Sequence, residues 1–212
     1  MIAIGFERAG SLKQRIRSHN HCLPRKTSLM YKGVRVTQAI LLREELRMKE
    51  VDYMAVAEKV MKQVKEGAFL TVKAGKATNT MTIGWGLIGY SWRKPIFMVL
   101  VRSSRHTYGF IDKASDFTVT VPTTNMRDAL MFCGTKSGRD VDKYKACNLE
   151  LAKAQKVVSP IIKTPAIQFE CKILLKTPMD PKCLDKECQG LYPAKDYHTL
   201  YFGEIVECYE TE

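Results

Sequence analysis

Apolar residues at Met54, Val56, Ala57, Val60, Met61 and Val64 recur at three- and four-residue spacing and form one stripe along a helix over 52–67. Asp52 is placed to cap that helix and Gly67 to stop it. The period then changes. AFLTVK (68–73) reads as a strand and GKATN (75–79) as a turn. TMTIGWGLIGYSW (80–92) reads as a β-like run ended by Arg93-Lys94-Pro95, and IFMVLV (96–101) as a buried strand. RHTYGFIDKA (105–114) is short and helical, and FTVTV (117–121) is a strand closed by Pro122. Short helices are expected over 124–133 and 140–147, around the polar link GTKSGRD (134–140). The clearest alternation comes late: Ile167, Phe169, Cys171, Ile173 and Leu175 share one face, and Gln168, Glu170, Lys172 and Lys176 the other. HTLYFGEIVECY (198–209) is the expected partner strand, across a long loop containing DPKCLDKECQGLYP (180–193). About six strands with few helices predict a mainly β barrel or sandwich with helical decoration, not a βαβ fold.

Residues 1–47 show neither period, and charge sets them apart as well. They hold seven Arg, three Lys and three Glu, a net of +7, while residues 48–212 hold five Arg, nineteen Lys and nineteen acids, a net of +5. Arg43-Glu44-Glu45 can be encoded AGG-GAG-GAR, a purine-rich ribosome-binding sequence just upstream of Met48. We therefore expect translation to start at Met48, with 1–47 upstream sequence read as protein and 48–212 the domain. An Arg-rich, acid-poor transit peptide and a disordered basic arm are the alternatives.

The 212 residues suffice for one well-packed domain, and no stretch of eighteen apolar residues is present to span a membrane. Seven scattered cysteines, an odd number, point to reduced thiols, and with no secretory signal pattern to a cytoplasmic protein. The net charge of +12 raises a nucleic-acid reading, but more than half of it lies in residues 1–47, and the remainder lacks the aromatic–basic alternation of a single-strand binder.

Gly84-Trp85-Gly86-Leu87-Ile88-Gly89 fits G-x-G-x-x-G, yet it sits inside a β-like run rather than opening a helix, and no acid lies about twenty residues on. It is not a dinucleotide loop; glycines there allow a bulge or the close approach of a flat ligand, or simply the curvature of a barrel. Residues 102–107 carry more information. Ser103, Ser104 and Thr107 add hydroxyl donors, and Arg105 a planar fork, at an expected helix start. The pattern predicts a site for a phosphate monoester, whereas one ordinary cap requires fewer donors. Lys136, Ser137, Arg139 and Lys143 form a second polar cluster that gains meaning only if the fold brings it near Arg105. Cys183-x4-Cys188 has the wrong spacing for a zinc knuckle, and no Ser/His/Asp order, H-E-x-x-H or carboxylate pair stands out, so no metal and no side-chain catalyst is predicted.

Asn79-Thr80-Met81-Thr82 with Trp85, then Pro95 and an apolar strand, Arg105-His106-Thr107, Phe117-Thr118-Val119, Gly134-Thr135-x-Ser137-Gly138, Asp142-Lys143, Asp196-Tyr197-His198-Thr199 and Gly203-Glu204-Ile205 form an ordered series. That series resembles the flavin reductase-like family, its flavoredoxin group in particular, over about residues 52–209. The resemblance implies a Greek-key split β-barrel that binds FMN, as a homodimer with the flavin near the subunit interface. It implies that Asn79, Thr80, Met81 and Thr82 contact the flavin, with the two threonine hydroxyls on the ring edge or ribityl chain and Met81 packed on the ring. Trp85 belongs to the same segment. Ser103, Ser104, Arg105, His106 and Thr107 become the phosphate cradle, and Lys136, Ser137, Asp142 and Lys143 a second flavin-proximal loop. The expected function is hydride transfer from NAD(P)H to flavin, with the flavin carrying the chemistry. A non-enzymatic electron carrier holding FMN tightly is the alternative, and rapid NAD(P)H oxidation by the purified protein separates the two.

Overall fold

A computed structural model of the chain describes residues 47–212. The reading of residues 1–47, Arg47 apart, lies outside the described residues. Along the chain run β1 (Met48–Glu50), α1 (Tyr53–Glu66), β2 (Ala68–Ala74), β3 (Ala77–Ile83), β4 (Gly86–Ser91), β5 (Lys94–Arg102), α2 (Tyr108–Ile111) and β6 (Asp116–Pro122). They are followed by α3 (Arg127–Thr135), α4 (Lys143–Ala146), β7 (Leu151–Ala152), β8 (Ile161–Ile162), β9 (Ala166–Pro178), α5 (Lys186–Gln189) and β10 (His198–Thr211). The fold is mainly β, as expected, but with more strands than six. One antiparallel sheet has the order β3-β2-β6-β9-β10-β5-β4, with β1 added beside β10. A small pair, β7-β8, stands apart.

Local chemistry accounts for the boundaries. The Asp52 carboxylate accepts from the Met54 amide at 3.0 Å and starts α1. Gly67, at φ 131°, ends the helix, its amide donating back to Gln63 O and Val64 O. The turn expected over 75–79 is tighter: Gly75, at φ 60°, and Lys76 suffice, and β3 begins at Ala77. The run 80–92 is divided, with Gly84 and Trp85 separating β3 from β4. The residues expected to end it instead make a hairpin: Trp92 and Arg93, both at positive φ (53° and 58°), turn β4 into β5, which already contains Lys94 and Pro95.

β9 and β10 are the long central strands, and β10 pairs along its first half with both β9 and β5. Two register shifts in the β9–β10 ladder bend the pair. At one of them Gly203 lies against Phe117: a Cβ there would sit 2.6 Å from the ring. The sheet curls around Leu70, Phe97, Val99, Phe117, Val119, Phe169 and Tyr201, with Val60 and Val64 of α1 in the same core. The Phe97 and Phe169 rings meet edge-to-face at 5.1 Å.

The alternation along β9 places its residues on two faces, but both faces are covered in its first half. Gln168 and Glu170 are fully buried. Glu170 accepts from the amides of Gln155 (2.7 Å), Lys156 (2.6 Å) and Val157 (3.2 Å) and from Tyr209 Oη (2.7 Å). A buried carboxylate thereby straps the 155–157 segment over the sheet, with its hydrogen-bonding capacity met.

Candidate functional site

Two cavities share Met81 and Arg105 as a common wall. The first, about 190 Å³, is lined by Met81, Thr82, Ile83, Gly84, Trp85, Leu100, Arg102, Arg105 and His198. The second, about 110 Å³, lies between the β5–α2 turn and the α3–α4 segment, with Ser104, Arg105, His106, Thr107, Lys136, Ser137, Arg139 and Lys143 around it. The two polar clusters of the sequence therefore meet, and Arg105 itself bridges them: its Nη1 donates to Gly134 O at 3.3 Å. Arg139 Nη1 reciprocates by donating to Ser104 O at 3.2 Å.

Close packing fixes this meeting. A Cβ on Gly138 would fall 2.2 Å from Asn79 Oδ1 and 3.1 Å from His106, so any larger residue there has to displace the buried Asn79 side chain. The buried Asn79 donates through Nδ2 to Thr107 Oγ1 at 2.8 Å, tying β3 to the β5–α2 turn.

The predicted site residues take different positions. Met81 faces both cavities. Thr80 turns the other way: it is fully buried, and its hydroxyl lies against Thr71 Oγ1 (3.1 Å) and Leu70 O (3.2 Å), so strand alternation denies that hydroxyl to the cavity. Thr82 lines the first cavity, yet its hydroxyl donates to Leu130 O at 2.6 Å. Ser103 and Ser104 hydroxyls donate to the Asp196 carboxylate, that of Ser103 at 3.1 Å. Asp142 caps α4, accepting from Tyr144 N and Lys145 N. The helix after the 102–107 turn has only four residues, so the donors at this site are chiefly side chains, not a helix dipole.

Electrostatically the site is one-sided. Arg102, Arg105, Lys136, Arg139 and Lys143 line the two cavities, and no Asp or Glu does. Among the described residues none of these five cations makes an ion pair within 4.0 Å. Lys143 is only 5% exposed, and its Nζ donates to Thr80 O (3.0 Å) and Cys133 O (2.8 Å). Burial lowers its pKa from the ordinary value, and the Arg105 charge adds to the effect. Burial also lowers the pKa of His106, with the charges of Arg139 and Lys143. For Asp196, burial works against ionisation, but the hydrogen bonds from Ser104 and Ser103 prevail and hold the carboxyl below its usual range.

Residues outside the predicted set complete the first cavity. His198 pairs with Arg102 across β10–β5, and burial together with the Arg102 charge lowers its pKa to about 4, so it is neutral at pH 7. Its Nδ1 lies 2.8 Å from Tyr192 Oη, and its ring lies 5.2 Å from that of Trp85. Tyr192 comes from the polar 180–193 loop yet is 4% exposed, with the Arg102 guanidinium 4.9 Å from its ring centre. The sequence signal for these contacts was slight: an aromatic residue in a charged loop and an arginine at the end of a strand.

Over residues 64–212 the chain matches the model of the flavin reductase like domain family. An uncharacterized protein of Archaeoglobus fulgidus is 28% identical over 138 residues, 65% of this chain and 68% of that protein. Among solved structures, the FMN-binding domain of a flavin reductases-like enzyme from Shewanella baltica superposes with a TM-score of 0.57 at 17% identity, covering 78% of each chain. Flavoredoxin from Methanosarcina acetivorans superposes with a TM-score of 0.55 at 23% identity, covering 69% of this chain and 68% of that one. With the family match extending from the end of α1 to the last residue of β10 and beyond, on a fold these structures share, the chain belongs to the flavin reductase-like family.

Proposed function

We propose that the chain binds FMN across the two cavities and works as a flavin reductase-type oxidoreductase, taking hydride from NAD(P)H. The observation that carries this reading is Lys143, a buried ammonium facing a cavity with no carboxylate to neutralise it. Burying a charge is expensive unless it is paired, so the site is built to receive an anion. The residues fit FMN: Arg105, Lys136, Arg139 and Lys143 suit a phosphate monoester, and the adjoining cavity, with Met81, Trp85 and Leu100 in its wall, suits a flat ring.

When bound, FMN supplies a ring nitrogen that accepts hydride. The chain's own residues bind and orient. The basic cluster would hold the phosphate end, and Arg105, which lines both cavities, would stand between the phosphate and ring positions. Met81, Trp85 and Leu100 would give the ring an apolar wall along one side of the first cavity. No side chain has to move a proton.

The test is to reconstitute the protein with FMN, remove free flavin, and add NADH or NADPH without oxygen. Retained flavin that either donor bleaches is the expected result. Failure to retain FMN overturns the binding assignment, and retained flavin that neither donor reduces overturns the hydride reaction in favour of an electron carrier. We also propose that two copies pair, since Leu87, Tyr90 and Trp92 are exposed along and just beyond the free edge strand β4. Sedimentation of the flavin-loaded protein as a monomer contradicts pairing.

A further inference from the structure

We infer that Arg102 is a specificity-determining residue that takes the pyrophosphate of the nicotinamide donor, and so selects a dinucleotide over an uncharged hydride donor. The inference rests on the hydride reaction proposed above and adds the residue that recognises the second substrate.

The argument begins with what each cation faces. Arg105, Lys136, Arg139 and Lys143 all line the second cavity, enough for a phosphate monoester. Arg102 alone lines the first cavity without touching the second. It has no acidic partner within ion-pair distance among the described residues. The nearby carboxylate, Asp196, feels the Arg102 charge but stays beyond ion-pair distance, its hydrogen bonds coming from the Ser103 and Ser104 hydroxyls and the Ser104 amide. Across the strand pair, His198 is neutral and hydrogen-bonded to Tyr192, so it neither repels an incoming anion nor supplies one.

Arg102 is also held in place. Its guanidinium lies 4.9 Å from the Tyr192 ring centre, and Nη2 makes one long bond, 3.4 Å, to Leu191 O. A fork with five N–H donors and one weak partner keeps most of its capacity. Stacking on the ring limits its motion without consuming those donors. An oriented, unpaired guanidinium at the ring-side cavity suits a second anionic ligand, and the pyrophosphate is the anion every nicotinamide dinucleotide carries.

The experiment uses the FMN-saturated full chain and compares kcat/KM for NADH, NADPH and the uncharged donor 1-benzyl-1,4-dihydronicotinamide. Arg102→Gln should lower the ratio of NADH to uncharged donor by about tenfold to a hundredfold, the loss of one charge-assisted contact. NADPH should lose by the same factor, and Arg102→Lys should restore part of both. An equal loss with all three donors means that Arg102 only positions the Tyr192 loop, and overturns the inference. A loss confined to NADPH assigns the residue to the 2′-phosphate and overturns the pyrophosphate assignment. If the unaltered protein oxidises the uncharged donor but neither dinucleotide, the inference fails while hydride acceptance stands; if it oxidises none of the three, the proposed reaction itself fails.

Discussion

Replacing Lys143 by methionine removes the buried charge while keeping most of the side-chain volume. Nζ spends two of its three donors on Thr80 O and Cys133 O, leaving one for a ligand in the second cavity. A charge-assisted contact to phosphate is worth about 1.5–3 kcal/mol, so FMN should bind roughly tenfold to a hundredfold more weakly. Riboflavin has the same ring without the phosphate, and its affinity should change far less. The unliganded fold should lose about 1–3 kcal/mol as two carbonyls lose a charged donor, partly offset by relief of the buried charge. Quenching of flavin fluorescence, titrated with both ligands, reads the first effect, and a thermal melt the second. Arg105→Gln should repeat the FMN-selective loss from an exposed position that contributes little to the fold. Equal weakening of the two ligands by Lys143→Met, or none, refutes the phosphate assignment.

Gly203→Ala should destabilise the fold by about 1–3 kcal/mol, because its Cβ would fall 2.6 Å from the Phe117 ring and 2.7 Å from Cys171 Cβ, both in the closed core; the urea midpoint measures it. His198 titrates at about 4 when folded against an ordinary 6.5, so the unfolded chain binds a proton the folded chain refuses. Stability should therefore fall as pH drops from 6.5 toward 4, and His198→Gln should flatten that decline in melts taken across the range.

The sequence was most legible where local chemistry and packing agree. Asp52 and Gly67 bracket α1 in the chain and in the fold. IFMVLV and FTVTV became buried strands because runs of apolar and β-branched residues suit a covered sheet. The hairpin at Trp92-Arg93 was hidden because neither residue is one that commonly adopts positive φ, so the turn had no Gly or Asn to mark it. Burial of Glu170 was hidden for a different reason: alternation assigns residues to faces, but only tertiary structure says that the 155–157 segment covers the second face. At the site, the donors around Arg105 marked a candidate phosphate position in the sequence, whereas the 136–143 cluster read only as a polar loop until the fold set it beside Arg105. The direction of Thr80, set by strand phase, could not be read, nor could the inward turn of Tyr192, which depends on Arg102 from a distant strand as well as on the nearby His198.

The most direct measurement is a crystal structure of the full chain grown with FMN. The phosphate should lie among Arg105, Arg139 and Lys143, with the ring beside Met81 and Trp85 in the adjoining cavity. FMN bound with its phosphate outside the second cavity, or density for flavin only elsewhere on the chain, would contradict it.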